Sequence, residues 1–252
     1  MTEGIALQTQ RFLAFGALLL LGASAALAPH PIVALRVAPA LVASLLAIFG
    51  LFHPGPGAAV AVMGAFVSGI FLSGIPWQLT MALAIGVFLL VSKVRPGIGP
   101  LVLEVGRVPV WGTVGCAAVT PVALIGWFVL FRPDLSNIAT SIPKVGPVVV
   151  ILGALGFAVV NALGEELIWR GVIQTRLSEL LAPREAIFLQ ALSFGAQHAH
   201  GFPRGIVGIV LAGSWAVGLG LLRHEAKGLA ASTLAHIVAD ATIAGIVIMT
   251  TP

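Results

Sequence analysis

Six ionisable residues stand in surroundings that otherwise read as oil. Glu165 and Glu166 interrupt GALGFAVVNALGEELIWRGVI, with Arg170 one turn later. His198 follows Phe194 by four positions, and His236 and Asp240 interrupt LAASTLAHIVADATIAGIVIM at the same spacing. Residues four apart share one face of a helix, so Glu166 and Arg170 suit an intrahelical ion pair. Glu165 is turned by about 100° from Glu166. It can face a different neighbour, with Asn161 and Trp169 one turn away on its own face. A carboxylate and an imidazole in a desolvated pocket can take a proton from water. A second imidazole with a nearby side-chain oxygen can stabilise the oxyanion formed when that water attacks an amide. His198, His236 and a carboxylate with water also make a catalytic Zn²⁺ shell, so both versions stay open. No Gly-x-Ser-x-Gly, Walker or His-Glu-x-x-His pattern is present, and no Ser or Cys pairing suits a covalent route.

The cost of these groups dictates that they meet. A full charge at mid-bilayer costs about 2.5–3.5 kcal/mol on insertion scales. Unpaired, Glu165, Glu166, Arg170 and Asp240 would together cost on the order of 10 kcal/mol, as much as a whole protein's stability. They must converge on one another or on a wet cavity. Glu3, Glu104, Asp134, Glu179, Glu185 and Glu225 fall in loops or at helix ends, where water reaches them. His30, His53 and His224 also lie in loops, and His200 sits at a Gly-Phe-Pro break that suits an interfacial role.

The elements that position this set are membrane helices. Of 252 residues, 59% are hydrophobic and 9% charged, against about 25% charged in soluble domains. A surface so poor in charge must face lipid. Apolar stretches recur near 11–28, 32–52, 57–74, 77–92, 111–131, 147–168, 185–200, 203–222 and 228–249. Several are shorter than the roughly 20 residues that cross hydrocarbon, so we expect an all-α transmembrane bundle of about eight spans (seven to nine). Residues 1–110 hold spans with no assigned chemistry, and 111–252 hold the motif-bearing core. The small residues ASAALA mimic a signal-peptide cleavage site, but the spans that follow favour an uncleaved first helix. Cys116 is the single cysteine, which excludes a disulfide framework.

The net charge of +4 is spread over scattered Lys and Arg, which argues against nucleic acid. With nine spans and a cytoplasmic N-terminus, the cytoplasmic side carries Arg11, Lys93, Arg95, Arg107, Arg176, Arg184, Arg223 and Lys227. The other side carries Arg36, Arg132, Lys144 and Arg204. That bias follows the positive-inside rule. The Ala/Gly/Val-rich composition suggests a prokaryotic plasma membrane.

Three ordered segments, EELIWR (165–170), FGAQH (194–198) and HIVAD (236–240), resemble the CAAX protease and bacteriocin-processing family, whose members include the type 2 CAAX prenyl endopeptidase. The resemblance covers roughly residues 145–250 and implies an intramembrane endopeptidase acting on a membrane-associated or exported peptide. By residue, it implies that Glu165 and His198 activate water, that Glu166 and Arg170 support the site, and that His236 and Asp240 bind the oxyanion or a metal. The third segment ends in Asp240, where prenyl-protein enzymes carry an amide. An ionised Asp240 cannot donate to an oxyanion; it must be protonated, act indirectly or ligate a cation. Two other classes remain as alternatives: a proton-coupled transporter, whose relays use the same residue types, and a non-catalytic bacteriocin-immunity protein on the same fold.

Overall fold

The computed structural model describes residues 2–73, 76–139 and 142–250. Among these residues it is helical, with no strand. The long helices are α1 (Thr2–Leu27), α2 (Val33–Phe52), α3 (Pro56–Ser73), α4 (Trp77–Val94), α5 (Val110–Phe131), α6 (Pro147–Leu177), α7 (Pro183–Gln197), α8 (Gly205–Ala226) and α9 (Ala230–Met249). Among the described residues, seven helices are long and apolar enough to cross a membrane. α3 adds the apolar run Pro56–Gly69, and α7 has 15 residues. This is the polytopic bundle expected from hydropathy.

Side-chain size decides how the first helices meet. α1 packs on α3, and α3 on α2. Ala14 and Ala17 of α1 and Ala58, Ala59 and Ala61 of α3 are buried to 1% exposure or less. Small side chains let helix backbones approach closely, which is how helices associate where lipid offers no hydrophobic drive. The outward faces are the reverse: Leu45 of α2, Leu83 of α4 and Val122 of α5 are all exposed. Such a surface would aggregate in water and is at home in hydrocarbon.

Two boundaries differ from the hydropathy reading, and both differences matter. The span expected to end at 168 continues to Leu177. Its charged residues end a hydropathy window, yet they are paired inside the protein and do not end the helix. Within it, Leu167–Gln174 winds in wide i→i+5 turns, a rare geometry that is frequent at functional sites. Thr175 Oγ1 donates to Arg170 O across this stretch at 2.7 Å. The span expected over 185–200 stops at Gln197, and irregular chain runs through 198–204 before α8.

Burial along α6 is divided. Large residues of its first half, Val148, Ile151, Leu152 and Leu155, are exposed, whereas Glu165, Glu166, Ile168, Trp169, Arg170, Val172 and Ile173 are buried. α9 packs along α6, α8 packs on α7, and α4 reaches α6 from the first half.

Candidate functional site

The two glutamates close the regular part of α6, directly before its wide turn, and both point into the interior. Glu166 and Arg170 are fully buried, and Glu165, His236 and Asp240 are 7%, 2% and 4% exposed. At such burial each charge needs a partner. Arg170 Nη1 donates to Glu166 Oε1 at 2.9 Å, the i,i+4 pair that the spacing predicts. Its Nη2 donates to Ala216 O of α8 at 3.4 Å, and Gln190 Nε2 donates to the same carbonyl at 3.0 Å. The guanidinium also lies 4.8 Å over the Phe194 ring. The pair is thus pinned to α7 and α8 together.

His236 bridges the two glutamates. Its Nδ1 lies 2.8 Å from Glu166 Oε1, and its Nε2 lies 3.5 Å from Glu165 Oε2 and 3.9 Å from Asp240 Oδ2. Carboxylate oxygens only accept, so the ring satisfies both sides when each nitrogen carries a hydrogen. Trp215 holds the imidazole edge-on, with centroids 4.8 Å apart.

Glu165 faces the other way, as its 100° rotation implies. Its Oε1 accepts from Asn161 Nδ2 at 3.1 Å and from Trp77 Nε1 at 3.0 Å. Asn161 Nδ2 also donates to Asp240 Oδ2 at 3.1 Å, so one amide separates two acids from α6 and α9. Gln78 Nε2 donates to Asn161 Oδ1 at 3.4 Å, which fixes the amide's orientation. Trp77 and Gln78 belong to the first turn of α4. Sequence reasoning missed them because a Trp-Gln step at the end of an apolar helix reads as an interfacial anchor.

His198 follows the last residue of α7. Its Nδ1 lies 3.0 Å from Phe194 O, and its ring stacks 4.6 Å from Phe194. With Nδ1–H donating to that carbonyl, Nε2 is the nitrogen available to a molecule beside it. Gln197 Nε2 donates to Leu21 O at 3.4 Å, and His200 Nε2 lies 2.7 Å from Ala25 O. The chain on either side of His198 is thereby tied to the second half of α1.

A cavity of about 490 Å³ joins these groups. Its walls include Trp77, Asn161, Glu165, His198 and Asp240, and it extends past Ile138, Phe202 and Arg204. A second cavity of about 270 Å³, on the Trp215 side, is also lined by His198, His236 and Asp240. Glu165 and His198 therefore face one shared space, with His236 behind Glu165.

The same geometry bears on the fit of a zinc shell. Among the described residues, no three His, Cys, Asp or Glu side chains come together as metal ligands. Both nitrogens of His236 point at carboxylates, and the Asn161 amide already binds an oxygen of Glu165 and of Asp240. As arranged, these residues do not fit a His–His–carboxylate shell.

Comparison with known proteins bears on the second half of the chain. Residues 147–242 match the family model described as Type II CAAX prenyl endopeptidase Rce1-like. The match spans Glu165, Glu166, Arg170, His198, His236 and Asp240, and leaves Trp77 and Gln78 outside. No curated protein and no solved structure matches the chain.

Proposed function

We propose, from the membership of residues 147–242 in the CAAX-type intramembrane endopeptidase family, that this chain hydrolyses a peptide bond of a membrane-associated polypeptide with water activated by Glu165 and His198. The observation that carries this reading is the shared cavity: a carboxylate and an imidazole with an available nitrogen face one space of about 490 Å³. Water between them loses a proton to Glu165 or to His198 Nε2, and its oxygen attacks the amide carbon. The carbonyl oxygen gains charge, and Asn161 Nδ2, a donor on the cavity wall, is released to meet it once Glu165 Oε1 has taken up the proton. The proton then passes to the departing nitrogen as the C–N bond breaks. Glu166 and Arg170 do not touch the substrate. They hold His236, whose Nδ1 contacts Glu166. Asp240 acts indirectly, through Asn161 and His236, which answers the difficulty raised by an acid at the end of the third motif.

The test uses the full-length protein in liposomes with a fluorophore–quencher peptide built around an apolar segment. Glu165→Gln and His198→Ala are each expected to lower kcat by at least about a hundredfold, within the range of general acid–base catalysis. Both variants are expected to keep the wild-type melting temperature within a few degrees. Retained turnover in both overturns the proposal. Activity is expected to persist after dialysis against a chelator; loss that Zn²⁺ restores would overturn the metal-independent mechanism.

A further inference from the structure

Among the described residues, the long helices α1 to α9 run in succession and divide the loops between two faces. The N-terminus and the connections 53–55, 95–109, 178–182 and 227–229 share one face. Contacts across that face agree: Gln10 reaches His53 O, Arg11 reaches Leu180 O, and Arg107 reaches Glu225 O. The opposite face gathers 28–32, 132–139, 142–146 and 198–204, where His200 meets Ala25 O and Phe202 packs 5.0 Å from Trp127.

The cavity draws its loop residues from only one of these faces. Below Glu165, on the N-terminal side, α6 is buried through Ile168, Trp169, Arg170, Val172, Ile173 and Leu177. The 95–109 connection plugs the space beneath with Ile98 and Leu101, both buried. On the other side the cavity wall continues through Ile138, His200, Gly201 and Arg204, all from connections of the opposite face. At 1.5 Å per residue, His236 and Asp240 stand roughly 9 and 15 Å above the start of α9. The chemistry is thus within the membrane and reached from the face away from the N-terminus.

Charge assigns that face. The N-terminal face and the helix ends nearest it carry eight Lys and Arg, and the cavity face carries Arg36, Arg132, Lys144 and Arg204. Arg170 is the remaining cation and is buried. An excess of Lys and Arg marks the cytoplasmic side. We infer that the cavity opens on the exocytoplasmic face, and that its substrate is a translocated polypeptide presenting its scissile bond from that side. None of the residues that line the cavity beside Glu165 belongs to a connection of the N-terminal face. The inference rests on the peptidase reading for the word substrate and is independent of it for the face.

Site-specific labelling tests the face without turnover. In a Cys116→Ala background, Lys144→Cys and Arg204→Cys are placed on the cavity face and Glu225→Cys on the other. Intact cells are treated with a membrane-impermeant maleimide. Lys144→Cys and Arg204→Cys are expected to label directly, and Glu225→Cys only after permeabilisation, with at least about a tenfold contrast. The reverse pattern overturns the inference, as does equal labelling of all three. Labelling of Lys144→Cys without Arg204→Cys also overturns it, because the cavity rim is then not on that face. Failure here leaves peptide hydrolysis by Glu165 intact, whereas an active Glu165→Gln protein sinks the peptidase reading and leaves the face assigned.

Discussion

The two halves of this bundle are held together by different forces. Between α1 and α3 the contact is dispersion between small side chains, with Ala17, Ala58 and Ala59 at 1% exposure or less, and Gln10 Oε1 accepting from Gly57 N and Ala58 N at its edge. Between α6, α8 and α9 the contact is a polar lattice in which Glu166, Arg170 and His236 are nearly inaccessible. Loss of one methyl in the first half removes a few van der Waals contacts. Loss of one charge in the second half strands its partner in a medium that cannot solvate it. A membrane protein can thus confine its demanding residues to a few turns while the rest of the chain supplies shape. The division is not complete, since the first half reaches the site through Trp77, Gln78 and the carbonyls of Leu21 and Ala25.

The contrast breaks most sharply at Arg170. Arg170→Leu leaves Glu166 buried without its cation and is expected to destabilise the protein by about 3–5 kcal/mol. A large fall in melting temperature in detergent would be the readout, and an unchanged melt would refute the lattice. Asn161→Leu keeps the volume but removes the amide between Glu165 and Asp240. Its expected result is a fall in kcat of about a hundredfold, the scale of one preorganised donor, checked by steady-state kinetics on the peptide probe. Trp77→Phe asks whether the first half matters chemically. It retains a ring beside Trp169, 6.2 Å away, and deletes the N–H. A kcat about tenfold lower with KM within twofold is expected, the worth of one hydrogen bond to a carboxylate; unchanged kcat would return α4 to the role of packing. His200→Phe should have the smallest effect, about 1 kcal/mol in a denaturation experiment, from one lost tie to α1.

What was legible in the sequence follows from the solvent. In a lipid-facing chain an ionisable residue costs enough to be conspicuous, so Glu165, Glu166, Arg170, His236 and Asp240 were visible individually, and the Glu166–Arg170 pairing followed from spacing alone. The helices were legible because hydropathy and span length are linked. Trp77 was not, because nothing about an aromatic at a helix end separates an anchor from a donor aimed inward. His236 was equally opaque in one respect: the i,i+4 spacing puts Asp240 on its own face, yet Glu166 Oε1 of another helix lies nearer, at 2.8 against 3.9 Å. Spacing reports neighbours on one helix and is silent about the helix opposite. The run of α6 to Leu177 was hidden for the reason that made the site visible, since charge paired inside a protein and charge exposed to water look alike in a hydropathy window.

The wide winding of Leu167–Gln174 gives α6 a phase change. Each residue there advances the helix through less than the usual 100°, so side chains below the glutamates point where a regular helix would not send them. Gln174 consequently meets Gly220 O at 2.9 Å, and Thr175 accepts from Arg223 at 3.1 Å. A one-residue deletion in this stretch would restore a regular pitch and swing the lower helix away from α8. Glu165 would keep its place above while the floor beneath Arg170 came apart, so the length of this segment is constrained independently of its composition.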